Sequence, residues 1–232
     1  MCGRYALAPN DVQWHDLVEL LGENVWATVA ACEARYNIAP STTVPIITQH
    51  PETGAMRTLE SRWQFIPHWW KDVNPPKFSS INARSEEAGE KPLWRDAWRK
   101  RRCLIPATHW YEWQRTGDGK QPFALQPADG CGFLFAGLYS RWTPPGSDES
   151  IHTDAILTRE AAPGVRAIHD RMPVILDAAG WREWLDPELA DKAAVADLLA
   201  CHAVTDASGY AVSTRVNSPR NQGPELLQPL QS

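Results

Sequence analysis

The sequence predicts an α+β fold, on three observations. Many short apolar runs of strand composition are separated by Gly- or Pro-marked turns. Amphipathic stretches of helical spacing interrupt them at irregular intervals rather than in a βαβ rhythm. No internal repeat, low-complexity tract or long linker divides the 232 residues, so a single domain over residues 1–232 is expected. A chain of this length buries a sizeable core without covalent staples.

Taken in order, the first strand ends at Pro9-Asn10. Asn10 then reads as an N-cap, with Asp11 in the first turn and Trp14, Leu17, Val18 and Leu21 at helical spacing before Gly22 stops the helix. Trp14 is thereby a core residue, and a loop is expected from Gly22 to Tyr36. Val44 to Thr48 and Leu59 to Phe65 form two strands about a turn at Pro51-Glu52-Thr53-Gly54. His68 to Pro76, aromatic and proline-containing, is a loop. Lys91-Pro92 opens a short helix with Leu93, Trp94, Ala97 and Trp98 inward and its basic residues outward. Cys103 to Pro106, Trp110 to Gln114, Phe123 to Gln126, Phe133 to Tyr139, Asp154 to Thr158 and Tyr210 to Val212 read as strands, Trp181 to Leu185 and Leu189 to Leu199 as helices, and Thr143 to Ser150 and Val216 to Gly223 as loops.

Composition bounds the function. Hydrophobic residues at 43% and charged residues at 22% are those of an ordinary globular protein. No signal peptide or membrane-spanning apolar run is present, so a cytoplasmic protein without a membrane partner is expected. The five cysteines form no CxxC pair and the seven histidines no HExxH, so neither a disulfide framework nor a metal site is indicated. With no GxGxxG or Walker loop, no nucleotide cofactor is expected. The net charge of -5 argues mildly against nucleic acid, but the positive charge is clustered. Arg95, Arg99, Lys100, Arg101 and Arg102 form one dense run, and further arginines sit in motif-like stretches. The 12 tryptophans serve a core or, if exposed, stack on single-stranded bases.

Cys2 stands where removal of Met1 would expose it. The residue would then carry an α-amine and a thiol, with unperturbed pKa values near ~8 and ~8.5. Such a pair adds twice to one aldehyde carbon: the amine gives a Schiff base and the sulfur closes a thiazolidine. Alternatively the thiol attacks an amide or ester, or Cys2 is simply a small buried strand residue. Three other positions pair a reactive group with an ordering context. Asn82 and Arg84 alternate on a strand-like polar stretch, where Asn82 either serves a site or caps a turn. Glu112 lies between Tyr111 and Trp113, where it either faces a polar cleft with a raised pKa or bridges to a neighbouring arginine. His169 is a proton shuttle or a structural histidine.

These stretches together resemble the SOS-response-associated peptidase (SRAP) family of abasic-site processing proteins. The resemblance covers nearly the whole chain. It runs from Met-Cys-Gly-Arg-Tyr through Tyr36-Asn37-Ile38-Ala39-Pro40, Trp63-Gln64-Phe65-Ile66-Pro67 and Ile81-Asn82-Ala83-Arg84-Ser85-Glu86. It continues in Arg102 to Ala107, Tyr111-Glu112-Trp113, Phe135 to Leu138, Ile156-Leu157-Thr158, Ile168 to Leu176 and Val216-Asn217. It implies a barrel-like core of short, mostly antiparallel strands with peripheral helices. It also implies a cytoplasmic monomer, nucleoid-associated in a bacterial host, that crosslinks to single-stranded DNA at abasic sites through Cys2, with peptidase or lyase activity beside it. The implied catalytic residues are Cys2, Asn82, Glu112 and His169. The implied DNA contacts are Arg4, Asn37, Pro40, Trp63, Arg84, Trp113, Thr158, Arg171 and Met172, with no cofactor and no metal. The chain departs from the family pattern at His109, where a Gly is usual, and in Trp-Gln-Phe-Ile-Pro, where Trp-Gly-Leu-Ile-Pro is usual. Two readings compete. One is an N-terminal-nucleophile amidohydrolase, since class II glutamine amidotransferases also begin Met-Cys-Gly, although their downstream Arg and Asn-Gly-Asp elements are not found. The other is a non-covalent single-strand-binding module.

Overall fold

The structure, a computed structural model, describes residues 2–14, 17–117 and 119–230. The chain enters as β1 (Tyr5–Leu7), a 3-10 turn over Pro9–Asp11, and two short helices, α1 (Leu17–Leu21) and α2 (Glu23–Ala30). The expected loop after Gly22 is therefore a second helix. Gly22 has φ +97°, a left-handed value that a side chain would resist, so it serves as the joint between the helices rather than as an end. Val25 and Val29, four residues apart, bury the inner face of α2. Asn10 lies inside the 3-10 turn rather than at a helix N-terminus, and its amide donates to Ala30 O at the end of α2; Trp14 precedes α1, and its indole donates to Pro9 O and packs on Trp26.

After β2 (Arg35–Ile38), the hairpin of β3 (Thr43–Gln49) and β4 (Met56–Trp63) turns where expected, with Gly54 at φ +69°. The loop from His68 leads to β5 (Asn82–Arg84), α3 (Ser85–Ala88) and α4 (Arg95–Lys100). Trp94, Ala97 and Trp98 are buried and Arg95, Arg99 and Lys100 exposed, as the amphipathic pattern requires. Arg102 breaks from that run. It is buried and donates to the carbonyls of Trp98 and Trp184, closing the C-terminal ends of two helices. The chain continues through β6 (Arg102–Ala107), β7 (His109–Thr116), β8 (Gly119–Pro127), β9 (Phe133–Trp142) and β10 (Ile151–Glu160). α5 (Pro163–Arg166), β11 (Arg171–Pro173), β12 (Ile175–Leu176), α6 (Ala178–Leu185), α7 (Lys192–His202) and β13 (Ala207–Ala211) follow, and 3-10 turns over Thr214–Asn217 and Pro224–Leu227 come last, the first of them reaching into the loop expected from Val216.

β4, β3, β6, β9 and β10 pair in that order, and β10 returns to β4 through Thr153↔Arg62 and Asp154↔Trp63, closing a barrel. The closing pairs, β10 with β4 and with β5, are parallel, whereas the ring is otherwise antiparallel. A second sheet, β13-β8-β7-β1-β2, lies beside it. β6 and most of β9 are covered on both faces, which explains their near-continuous apolar runs. Leu104, Ala136, Leu138, Ala155 and Leu157 join the helices in one cluster. The alternating residues Cys103, Ile105, Phe135 and Ile156 join Cys2, Tyr5, Trp63 and Trp110 in the other.

Asp154 shares the strand face of Ile156 and is fully buried. Its carboxyl, with the hydroxyls of Tyr5, Ser61 and Ser140, makes no hydrogen bond of normal geometry among the described residues. Burial raises its pKa to about 7, which only the facing Ser61 hydroxyl opposes. An acid with a raised folded-state pKa favours folding below its unfolded value, ~3.9, and that contribution is lost as pH rises through about 7. Asp154→Asn is therefore expected to raise Tm by several degrees near pH 8 and by little near pH 5, read by differential scanning fluorimetry. A larger gain at the lower pH contradicts this assignment.

Candidate active site

The site begins with strand pairing. β1 lies antiparallel to β7 with Tyr5↔Trp110 and Ala6↔His109, and Tyr111 N donates to Arg4 O. Continuing that register sets Gly3 opposite Glu112 and brings Cys2 beside it. β5 is fixed by parallel pairing of Asn82 with Ile156 on β10, and the Asn82 Nδ2 donates to Cys2 O at 2.7 Å. The turn after α5 carries His169, whose backbone N donates to Val165 O. Its Nε2 lies 3.9 Å from Glu112 Oε2. Its Nδ1 accepts from Arg171 N at 2.9 Å and lies 2.8 Å from Asp170 Oδ1. In the tautomer that accepts the Arg171 N–H, the Nε2 proton faces Glu112.

Cys2, Asn82, Glu112 and His169 thus meet from four separate segments. Burial sets their proton affinities. Glu112 is 1% exposed, and desolvation, aided by the charge of Asp170, raises its pKa to about 7. Burial and the Glu112 charge push the Cys2 thiol well up. Burial pulls the His169 imidazole down, and Arg115 adds to the effect. A carboxyl half-ionised near neutrality beside a neutral imidazole is suited to passing protons.

The implied DNA contacts divide by exposure. Trp63 is wholly buried; its indole donates to Ile81 O and its ring meets Tyr5 edge-on. Thr158, Met172 and Asn37 are likewise closed to solvent. In this structure none of the four side chains presents a surface to solvent. Asn37 donates to the carbonyls of Val216, Ser218 and Asn221 and accepts from Arg4 Nη1 at 2.7 Å. Arg171 is 8% exposed and forms a bidentate pair with Glu86 at 2.8 and 2.9 Å, also donating to Thr158 O. Burial opposes ionisation of Glu86, but the Arg171 bonds outweigh it and hold its pKa below the usual value. Arg84 is exposed, with Glu87 at 4.0 Å. Pro40 and Trp113 are half-buried, and the Trp113 indole donates to Asn217. The most exposed tryptophan face among the described residues outside this set is that of Trp69, 43% accessible in the loop before β5.

His109 sits in ordinary extended strand, since the positive-φ residues other than glycine reduce to Ser41 among the described residues. The imidazole is buried, and desolvation lowers its pKa to about 4. The substitution thus leaves the β7 backbone regular. Three cations that the motifs did not point to, Arg115, Lys120 and Arg166, line a cleft of about 570 Å³ with Glu112 and His169. Arg115 and Lys120 fall in the stretch between the two strands read from sequence, where no hydrophobic alternation marks a position. Among the described residues no group of His, Cys, Asp or Glu is placed to hold a metal ion, and no helix is long and apolar enough to cross a membrane.

The family model described as SOS response associated peptidase (SRAP) matches residues 1–219. The chain is 35% identical to the abasic site processing protein YoqW of Bacillus subtilis, over 98% of this chain and 99% of that one. It is 33% identical to the abasic site processing protein YedK of Escherichia coli, over 99% and 100%. Its fold is similar to that of a phage-related protein from Bordetella bronchiseptica, with a TM-score of 0.67 and 31% identity over 92% of this chain and 95% of that one.

Asn37 binds three carbonyls that lose water on folding, so truncating it leaves them unsatisfied. Asn37→Ala is expected to cost about 2–3 kcal/mol in chemical denaturation. A loss under about 0.5 kcal/mol would remove the architectural role assigned to it.

Proposed function

The chain belongs to the SOS response associated peptidase (SRAP) family, and on that premise we propose that it captures abasic sites in single-stranded DNA by covalent attachment through Cys2. The observation that carries this reading is the convergence on one residue of Asn82, which bonds Cys2 O, and the Glu112–His169 pair. Met1 lies outside the described residues; its removal frees the Cys2 amine.

The chemistry is a condensation. The ring-opened abasic sugar presents an aldehyde, and His169 protonates the ring oxygen to favour opening. The Cys2 amine adds to the aldehyde carbon, and Glu112, ionised above about 7, accepts the ammonium proton. Water leaves to give the imine. The thiol then adds across C=N: sulfur bonds to carbon, and its proton goes to nitrogen. One water is released overall, and the thiazolidine resists hydrolysis better than the imine. Asn82 holds the Cys2 carbonyl and so aims both nucleophiles. Arg4, Arg84 and Arg171 neutralise phosphates, Arg171 by exchanging Glu86, whose side chain is 47% exposed. Pro40 and Trp113 offer half-exposed surfaces to bases without reading sequence. The protein acts as a monomer, with no cofactor.

Purified protein incubated with a single-stranded oligonucleotide bearing one abasic site is expected to give a heat-stable shifted band on a denaturing gel, absent with intact DNA. Cys2→Ala abolishes it. Cys2→Ser keeps the amine and gives a band chiefly after borohydride reduction. A native-gel shift that persists in Cys2→Ala and is lost with salt, with no band on the denaturing gel for either protein, would instead support the non-covalent binding module. The crosslinking rate of the unmodified protein rises with pH through about 7 as Glu112 ionises. Glu112→Gln removes that limb and slows the reaction about 100-fold; an unaltered pH profile excludes Glu112 as the base.

A further inference from the structure

The cleft beside Glu112 and His169 is built from two walls. One is the far end of the β7–β8 hairpin, carrying Trp113, Gln114, Arg115 and Lys120; the other is α5 and the turn that follows it, carrying Arg166. Gln114 Nε2 donates to Ala167 O at 2.9 Å and ties the walls together.

Arg115 and Lys120 are direct cross-strand partners in this hairpin. Like charges directly opposite one another in an antiparallel pair are destabilising, so the pairing costs stability that an anion between them would restore. Arg166 adds a third cation from the opposite wall. The carboxylates that face this group are weakly placed. Glu160 approaches Arg166 only to 3.8 Å with both side chains exposed, and Asp170, its side chain 87% exposed, lies against His169 rather than against a cation of the group. Among the described residues only the exposed Arg166–Glu160 pair meets these cations, so the cleft keeps an excess of positive charge, and Glu112 and His169 line it as well.

We propose that Arg115, Lys120 and Arg166 form a phosphate seat for the DNA strand on the hairpin side of the lesion, separate from the arginines at Arg4, Arg84 and Arg171. This deepens and rests on the abasic-DNA reading above. The seat positions the backbone so that the sugar next to it lies over Glu112 and His169. Since Arg115 also acts on the imidazole electrostatically, a phosphate on the seat makes His169 easier to protonate when substrate is present.

The test is fluorescence anisotropy with a lesion-free single-stranded oligonucleotide at about 50–200 mM salt. Each phosphate contact on a single strand contributes about 0.7 to the slope of log K against log salt. Replacing Arg115, Lys120 and Arg166 together by Gln is expected to lower the slope by about 2 and to weaken binding roughly 10- to 100-fold near 100 mM salt. Neutralising Arg95, Arg99 and Lys100 on α4 leaves the slope unchanged. The single change Lys120→Gln is expected to hold or raise Tm while lowering the slope, which a merely structural lysine would not do. Should the triple variant fail to fold, Arg115→Gln and Arg166→Gln singly are each expected to lower the slope by about 0.7. An unchanged slope in the seat variants, or an equal loss in the α4 variant, overturns the proposal. Lesion-free DNA reports binding alone. A wild-type protein that binds it but never crosslinks abasic DNA therefore refutes the covalent reading without touching the seat.

Discussion

The site depends on one strand pairing, β1 along β7. β1 is only three residues long, yet it fixes the start of the chain against the strand that carries Glu112. A register slip of one residue would turn Tyr5 out of the interior and carry Cys2 away from the carboxyl. Interior packing enforces the register: Tyr5 meets Trp63 and Phe135 edge-on within the cluster that also holds Cys2 and Trp110. On the other side of β1, Arg4 is held by Asn37 and by Val216 O, so the terminus is fastened on both flanks.

A barrel with strands covered on both faces leaves little room for polar groups, and each one inside it has a visible consequence. Asn37 and Arg102 are satisfied by several carbonyls apiece and act as struts. Arg171 is satisfied by Glu86 and Thr158. Glu112 and Asp154 are held by burial near pKa 7, far from the ordinary carboxylate value. One of these lies against Cys2 and His169 and serves the proposed chemistry. The other lies deeper in the barrel and makes the fold sensitive to pH.

Much of the architecture was legible because it rests on alternation and on turns. The hairpin about Gly54, the strands of the barrel and the inward face of α4 follow from patterns that burial dictates. The helix after Gly22 was not legible, because glycine commonly ends helices, and its use as a joint depends on α1 and α2 both packing on the core. Arg102 read as one more member of a basic run, since only tertiary structure supplies the carbonyls that bury it. At the site, Cys2, Asn82, Glu112 and His169 were named from their chemistry and from family resemblance, whereas their meeting is a property of the fold. Trp63, Thr158 and Met172 share motifs with exposed residues, so motif membership could not tell an interior position from a surface one. The cationic seat at Arg115 and Lys120 was invisible until their cross-strand pairing was known.

In the proposed chemistry both nucleophiles of one residue end up on one carbon. Mass mapping of the purified product with abasic single-stranded DNA, after nuclease trimming and alkylation under denaturing conditions, tests it most directly. The expected product is an N-terminal peptide beginning at Cys2, heavier by the trimmed sugar fragment less one water, with neither its amine nor its sulfur open to modification. An adduct on a lysine or an internal cysteine, or a Cys2 thiol that still alkylates in the crosslinked peptide, would contradict it.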